Sequence, residues 1–246
     1  MPIDRRTMLM GLLTGTGMLA DADVASAQEP AAPDPSLYIP KAHLVEDRKF
    51  LHDFMEEFAF VDLVTTTPTL RITHIPTLLD RTMGRYGTIL AHISAQNPQR
   101  VTVDGTHTAV MVFRGPHGYI SPSWYAKQDV VPTWNFSVVH VSGRTKAITD
   151  PTETRALLGR LIRKFESRLP DSRYHFDTLP DDYVTTMMKG IAPFTMEIEA
   201  IEGKFKLGQE RSEGDRQGVL ARLRSAPYQE RSLSEVTEAF YRSVPK

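Results

Sequence analysis

Cysteine is absent from this chain of 246 residues. With it go disulfides, thiolate nucleophiles, zinc–thiolate sites and iron–sulfur clusters. The compartment stays open, because a cysteine-free protein suits the cytoplasm and the periplasm equally. A strong charge of either sign is also missing. The formal net charge is −1, so no global field draws the protein to nucleic acid or to an anionic membrane. Neither a G-x-S-x-G elbow, a P-loop nor an H-E-x-x-H pair occurs, and no internal repeat is visible. What is present is an ordinary globular composition, 41% hydrophobic and 24% charged, enough to bury a full core in one generous domain.

The first residues read as an address. Arg5-Arg6 precede a short, weakly apolar run to Ala20, and Ala25-Ser26-Ala27 offers the small residues that a signal peptidase needs. The run is too short to span a bilayer. The paired arginines resemble a twin-arginine signal, although Met8 replaces the usual Phe and Asp21 and Asp23 crowd the cleavage site. That route carries folded proteins, often with a cofactor already bound. The expected organisation is a signal over 1–27, a Pro/Ala tether over 28–36, a folded body over 37–225 and a helical extension over 226–246. The mature protein is expected in the periplasm or secreted, without a membrane segment after cleavage; a signal that does not work would leave it cytoplasmic.

Strand patterns dominate the body. Residues 60–66, 70–79, 86–93 and 108–113 are β-branched or apolar runs separated by Pro, Gly and Asn, and 135–142 and 194–201 add further strands. Phe50, Leu51, Phe54 and Phe58 recur at helical spacing within 45–58. Asp150-Pro151-Thr152-Glu153 is a helix start, with Asp as N-cap and Pro in the first turn, and Leu157, Leu161, Phe165 and Leu169 share the apolar face that follows. The arginines on its other face are interleaved with Glu153 and Glu166, which fits solvent exposure better than nucleic-acid contact. Asp181-Asp182 begins another helix, running through Met188. The expected fold class is mainly β with covering helices, a barrel with α-helical additions.

Residues 111–140 are chemically unusual. Both tryptophans, Trp124 and Trp134, fall here with Tyr119, Tyr125 and Phe136, beside the short polar groups of Ser121, Ser123, Thr133 and Asn135. An aromatic wall with a few fixed polar groups suits a planar heteroaromatic ligand, and a turn packed for its own sake would read the same way. The histidines His74, His92, His117 and His140 are scattered over separate segments with no i, i+4 ligand pair, so no metal site is expected; their convergence on a haem iron is the minor alternative.

Several runs are recognisable. Thr73-His74-Ile75-Pro76 with Leu78-Leu79-Asp80, Ala91-His92-Ile93 with Asn97-Pro98-Gln99, Gly115-Pro116-His117-Gly118-Tyr119 through Tyr125, and Val131-Pro132-Thr133-Trp134-Asn135 closely resemble the PaiB-like family, as do the Glu202-Gly203-Lys204 turn and Lys206-Leu207. The resemblance implies an FMN-binding split β-barrel related to the pyridoxamine-phosphate oxidases, working as a homodimer with flavin in grooves at the subunit interface. It implies FMN as cofactor, with phosphate contacts from His92, Asn97, Lys204 and Lys206 assisted by Ser121 or Ser123, and ring contacts from His74, Pro76, Thr133, Trp134 and Asn135. Trp124 and Tyr125 are placed on the substrate side or at the partner interface. These groups are expected to converge on one slot. Gly208 and Glu210 stand where the family usually has Ser and Asn, which weakens a phosphate site if that turn forms one. The implied functions are a flavin-dependent oxidoreductase on a small molecule, a non-catalytic flavin- or haem-binding module, or, by the family's regulatory name alone, a repressor. Nothing in the sequence supplies a helix-turn-helix or a basic stripe, so nucleic acid is not an expected partner. No side chain stands out as the catalytic acid or base.

Overall fold

Long antiparallel strands organise the chain. The computed structural model describes residues 35–225 apart from Gln128. The expected signal peptide, nearly all of the tether and the C-terminal extension lie outside the described residues. Eight strands form one sheet: β1 (Leu44–Val45), β2 (Phe60–Thr65), β3 (Arg71–Pro76), β4 (Leu78–Asp80), β5 (Thr88–Ser94), β6 (Asp104–Ile120), β7 (Thr133–Ala147) and β8 (Ile191–Lys206). Their order is β3-β2-β6-β7-β8-β5-β4, with β1 paired to the end of β8. Register shifts between Arg114 and His117 and between Ser142 and Gly143 mark bulges, which increase local twist and curl the sheet into a half-barrel.

Alternation decides which face is inside. Leu63, Ile89, Met111, Phe113, Val139, Val141, Phe194 and Met196 are buried on the concave face. Helix α1 (Arg48–Glu57) closes that face by burying Leu51, Phe54 and Met55, and Asp47 caps it by accepting from the Phe50 N–H at 2.9 Å. Truncating Phe54 to Ala would cost about 3–5 kcal/mol by the usual measure of a buried aromatic.

Helix α2 (Pro151–Glu166) is capped by Asp150, whose carboxylate accepts from Thr152 N–H at 2.7 Å, and it packs Leu157 and Leu161 on Leu78 and Leu90. It ends before Leu169, which is exposed rather than part of the apolar face. Basic side chains on and just past it pair with carboxylates of neighbouring elements: Arg155 with Asp181 at 2.8 Å, Arg160 with Asp80 at 3.3 Å and, beyond the helix end, Arg168 with Glu57 at 3.5 Å. Helix α3 (Asp181–Met188) begins at the paired aspartates, and α4 (Glu213–Ser225) packs Val219 against Ile120 and Tyr125.

The largest difference from the sequence expectation lies in the aromatic segment. Gly115-Pro116-His117-Gly118 is not a turn; it continues β6, and the bulge absorbs the proline that cannot donate to the ladder. Glu202-Gly203-Lys204 is likewise interior to β8. The result is a long β6–β7 hairpin whose tip projects beyond the barrel core. No described helix is long and apolar enough to cross a membrane.

Candidate functional site

Residues directly paired across strands project from the same face, and the register therefore fixes what lies on the convex side of the sheet. One row runs His74, Asp62, Val112, His140 and Glu202; the next carries Pro76, Phe60, Arg114, Val138 and Lys204; beyond them Phe136 pairs with Lys206. Trp134 and its partner Tyr119 follow at the hairpin tip.

This convex face is chemically dense. The Asp62 carboxylate binds His74 Nδ1 through one oxygen and Arg114 through the other, both at 2.6 Å. With a carboxylate accepting at Nδ1, that nitrogen carries the proton and the exposed ring presents Nε2. The Lys204 ammonium donates to the Tyr38 carbonyl at 2.8 Å and sits between the Tyr38 and Phe136 rings. Lys206 donates to the Thr133 hydroxyl. Glu202 accepts from the N–H groups of Ser36 and Leu37, which ties the start of the described chain onto the sheet, and the Ser36 hydroxyl reaches His140 Nδ1 at 3.0 Å. Burial holds the His140 ring below the usual imidazole value; Arg114 adds to this and Glu202 opposes it. Large apolar groups are left open among these charges: Trp134 is 52% exposed, Phe60 66% and Ile72 55%.

The expected site residues fall into separate groups. Thr133, Trp134, Asn135, Lys204 and Lys206 gather where the hairpin meets the end of β8. His74 and Pro76 lie on β3. Asn97 is close to them, but its side chain caps the 3₁₀ turn Pro98–Thr102 by accepting from Gln99 N–H at 2.8 Å and donating to Thr73 Oγ1 at 2.9 Å. His92 is half-buried on β5 opposite Pro193, near the start of β8, whereas Lys204 and Lys206 end that strand. Burial lowers its pKa as well. Ser121 and Ser123 bond each other at 2.8 Å in the 3₁₀ turn Pro122–Trp124, and Trp124 packs with Tyr125 and Val219. His117 lies 6.1 Å from Trp134, ring to ring, but within one protomer the tryptophans share no slot with His74 and His92. Strand register separates them.

A distinct cavity of about 820 Å³ opens between the hairpin tip and α4, lined by the 114–120 segment, Tyr125, Asn135, Leu207, Gly208 and the α4 side chains. Of the residues expected to contact flavin only Asn135 lines it, joined by Tyr125, which was placed on the substrate side or at the partner interface. Gly208 stands at this cavity with φ +78°, a left-handed conformation that a serine would strain, and the Glu210 carboxylate faces Arg211 and His43 at 3.8 and 3.7 Å. Sequence reasoning gave no role to Asp62, Arg114 or Arg211. The signal for Arg114 was its place beside the Gly-Pro pair; the other two had none.

The chemistry of the convex face fits a flavin mononucleotide. Lys204, Lys206 and Arg114 are cations that could meet a phosphate, and Trp134 and Phe136 could form an aromatic platform.

Residues 37–200 match the family described as "Putative FMN-binding domain". The chain is 32% identical over 190 residues to "Protease synthase and sporulation protein PAI 2" of Bacillus subtilis, covering 77% of this chain and 90% of that one. The chain belongs to the PaiB-like FMN-binding family. FMN is the cofactor by which that family is described. Two solved structures share the fold of this PaiB-like chain. The flavocytochrome Anf3 of Azotobacter vinelandii superposes with a TM-score of 0.53 at 13% identity, over 76% of this chain and 82% of that one. The FAD and heme binding protein of Mycobacterium smegmatis gives 0.50 at 13%, over 70% and 78%. The architecture is the split β-barrel that the family resemblance implied.

Proposed function

We propose that this PaiB-like chain binds FMN on the convex face around Lys204, Lys206 and Trp134, and that a second copy of the chain supplies the opposite wall. One observation carries the reading: cations and an exposed tryptophan meet on an open sheet face. An open face can cover only one side of a planar ligand, whereas ligand sites usually bury most of the ligand surface. The residue groups that register keeps apart within one protomer, His74 on β3 and Trp134 at the hairpin tip, would then face each other across the dimer. Phe60 and Ile72, exposed on the same face, would be covered by the same association.

Bound flavin supplies redox chemistry, and the dimer is best read as an oxidoreductase acting on a small molecule. The chain's own part is to bind and orient. Lys204 and Lys206 hold the anionic end, Trp134 shields one ring face from water, and His74, locked by Asp62, presents Nε2 as a proton donor or acceptor. Non-catalytic binding of flavin or haem is the alternative, favoured by the name of the Mycobacterium smegmatis fold relative, an FAD and heme binding protein. Replacing Lys206 by Met should weaken FMN binding about ten-fold or more, the worth of one charge-assisted bond. Trp134→Ala should weaken it comparably. Unchanged affinity in both variants would overturn this placement. Bleaching of flavin absorbance by NAD(P)H without air separates oxidoreductase from binding module; a Soret band in its place would make the protein a haem binder.

A further inference from the structure

The cavity beside α4 opens at the hairpin tip, where Arg114, His117 and Tyr119 reach it from the convex rows and the opposite face supplies the rest. Gly118 pairs with Asn135, and Ile120 with Thr133, one residue out of phase with the Tyr119–Trp134 pair. Gly118, Ile120 and Asn135 thus project from the concave side, where Ile120 meets Val219 of α4. The space there is real. A Cβ built on Gly118 meets nothing within 4 Å, whereas one on Gly115 would collide with Ser137 Oγ at 2.4 Å and the Phe54 ring at 2.6 Å.

Its lining states what it would hold. The apolar wall comes from Ile120, Tyr125, Val219, Leu220 and Leu223, and the charged lining is Arg114, Arg211 and Arg216 against Asp215. Asp215 is already engaged, accepting from the Ala126 N–H at 2.9 Å. The Arg211 guanidinium lies over the Tyr125 ring, 4.8 Å from its centroid, so a cation and an aromatic face are presented together. Its carboxylate neighbour Glu210 is 3.8 Å away and half-exposed, a weak competitor for a ligand anion. The volume lies within the range of sites for drug-sized molecules.

We propose that this cavity is a second binding site, set apart from Lys204, Lys206 and Trp134, for an amphipathic aromatic anion: a multi-ring apolar body against Ile120, Tyr125 and Leu220, and a carboxylate or sulfonate against Arg211. The site is complete within one protomer and does not depend on the flavin reading.

The test is a fluorescence titration of the full-length protein with 1-anilinonaphthalene-8-sulfonate, with and without saturating FMN. Saturable binding to natively melting protein is expected, unaffected by FMN. Gly118→Phe, which fills the cavity from the wall, should abolish it. Arg211→Gln, a surface change that leaves the core intact, should weaken it about ten-fold. Full-strength binding by a natively melting Gly118→Phe variant together with Arg211→Gln would overturn the proposal. So would displacement of the probe by FMN, which would merge this cavity with the flavin site. Binding that appears only after residues 226–246 are removed would also overturn it, since the chain itself would then be the occupant.

Discussion

Asp62 and Arg114 are joined at 2.6 Å across adjacent strands, and the carboxylate that makes this bond is the better shielded of the two partners, at 16% side-chain exposure against 68%. Because Asp62 also holds His74, a single carboxylate orders a cation and an imidazole on the face where flavin is proposed to sit. A double-mutant cycle with Asp62→Asn and Arg114→Gln should return a coupling of about 0.5–1 kcal/mol, the upper part of the range for exposed ion pairs, measured by urea unfolding. Strict additivity of the two changes would show that the pair is not formed in solution.

Acid should destabilise the protein in a window set by two histidines. His92 and His140 both titrate below the usual imidazole value, chiefly because burial disfavours the charged ring. The unfolded chain binds their protons from about pH 6.5 downward, while the folded chain binds them only at lower pH. Stability is therefore intact above about pH 6.5 and declines as pH falls toward the folded values. The carboxylates with lowered pKa, Asp53, Asp80 and Glu213 among them, act only below their ordinary values of 3.8 for Asp and 4.5 for Glu and leave this window clear. The fall in Tm between about pH 7.5 and about pH 5.5 should shrink in a His92→Gln/His140→Gln variant. An equal fall in both proteins would remove the histidines from the account.

Two glycines should respond to substitution for different reasons. Gly115→Ala has no room beside Ser137 and Phe54 and should cost about 1–3 kcal/mol as overpacking. Gly208→Ser restores the residue usual in the family but must adopt φ +78°, so it should lose about 1 kcal/mol of stability. Denaturant midpoints decide both; a stabilised Gly208→Ser protein would mean that the turn rearranges.

How far the sequence led can be judged from particular segments. The α1 and α2 helices were legible because their apolar spacing and the Asp150-Pro151 start are local signals, and the observed bounds, Arg48–Glu57 and Pro151–Glu166, lie within a few residues of the expectation. The 114–120 segment was not. Gly and Pro ordinarily punctuate, and only the long-range partner β7, with a bulge to absorb the misfit, keeps them in a strand. The same limit applies to the site. Residue types and family runs pointed to a flavin, but which side chains share a face depends on strand register, and register separated His92 from Lys204. The cavity beside α4 was invisible for a related reason: it is made by residues near 118, 135 and 220, far apart in the chain, and by a glycine that leaves space.

Export is a separate claim with its own test. We propose that Arg5-Arg6 direct the folded, flavin-loaded protein through the twin-arginine route. Replacing both by Lys should leave the precursor in the cytoplasm in a fractionation assay. Undiminished export of that variant would end the twin-arginine assignment without touching the fold.

The central claim, a flavin held between two copies of this chain, is tested most directly by sedimentation of the purified protein with absorbance read at about 450 nm, the flavin band. The account predicts flavin absorbance travelling with a species of twice the chain mass, and loss of both flavin and dimer when Phe60 and Ile72 are changed to Lys. Tightly held flavin on a monomer, or a stable dimer that takes up no FMN, would contradict it.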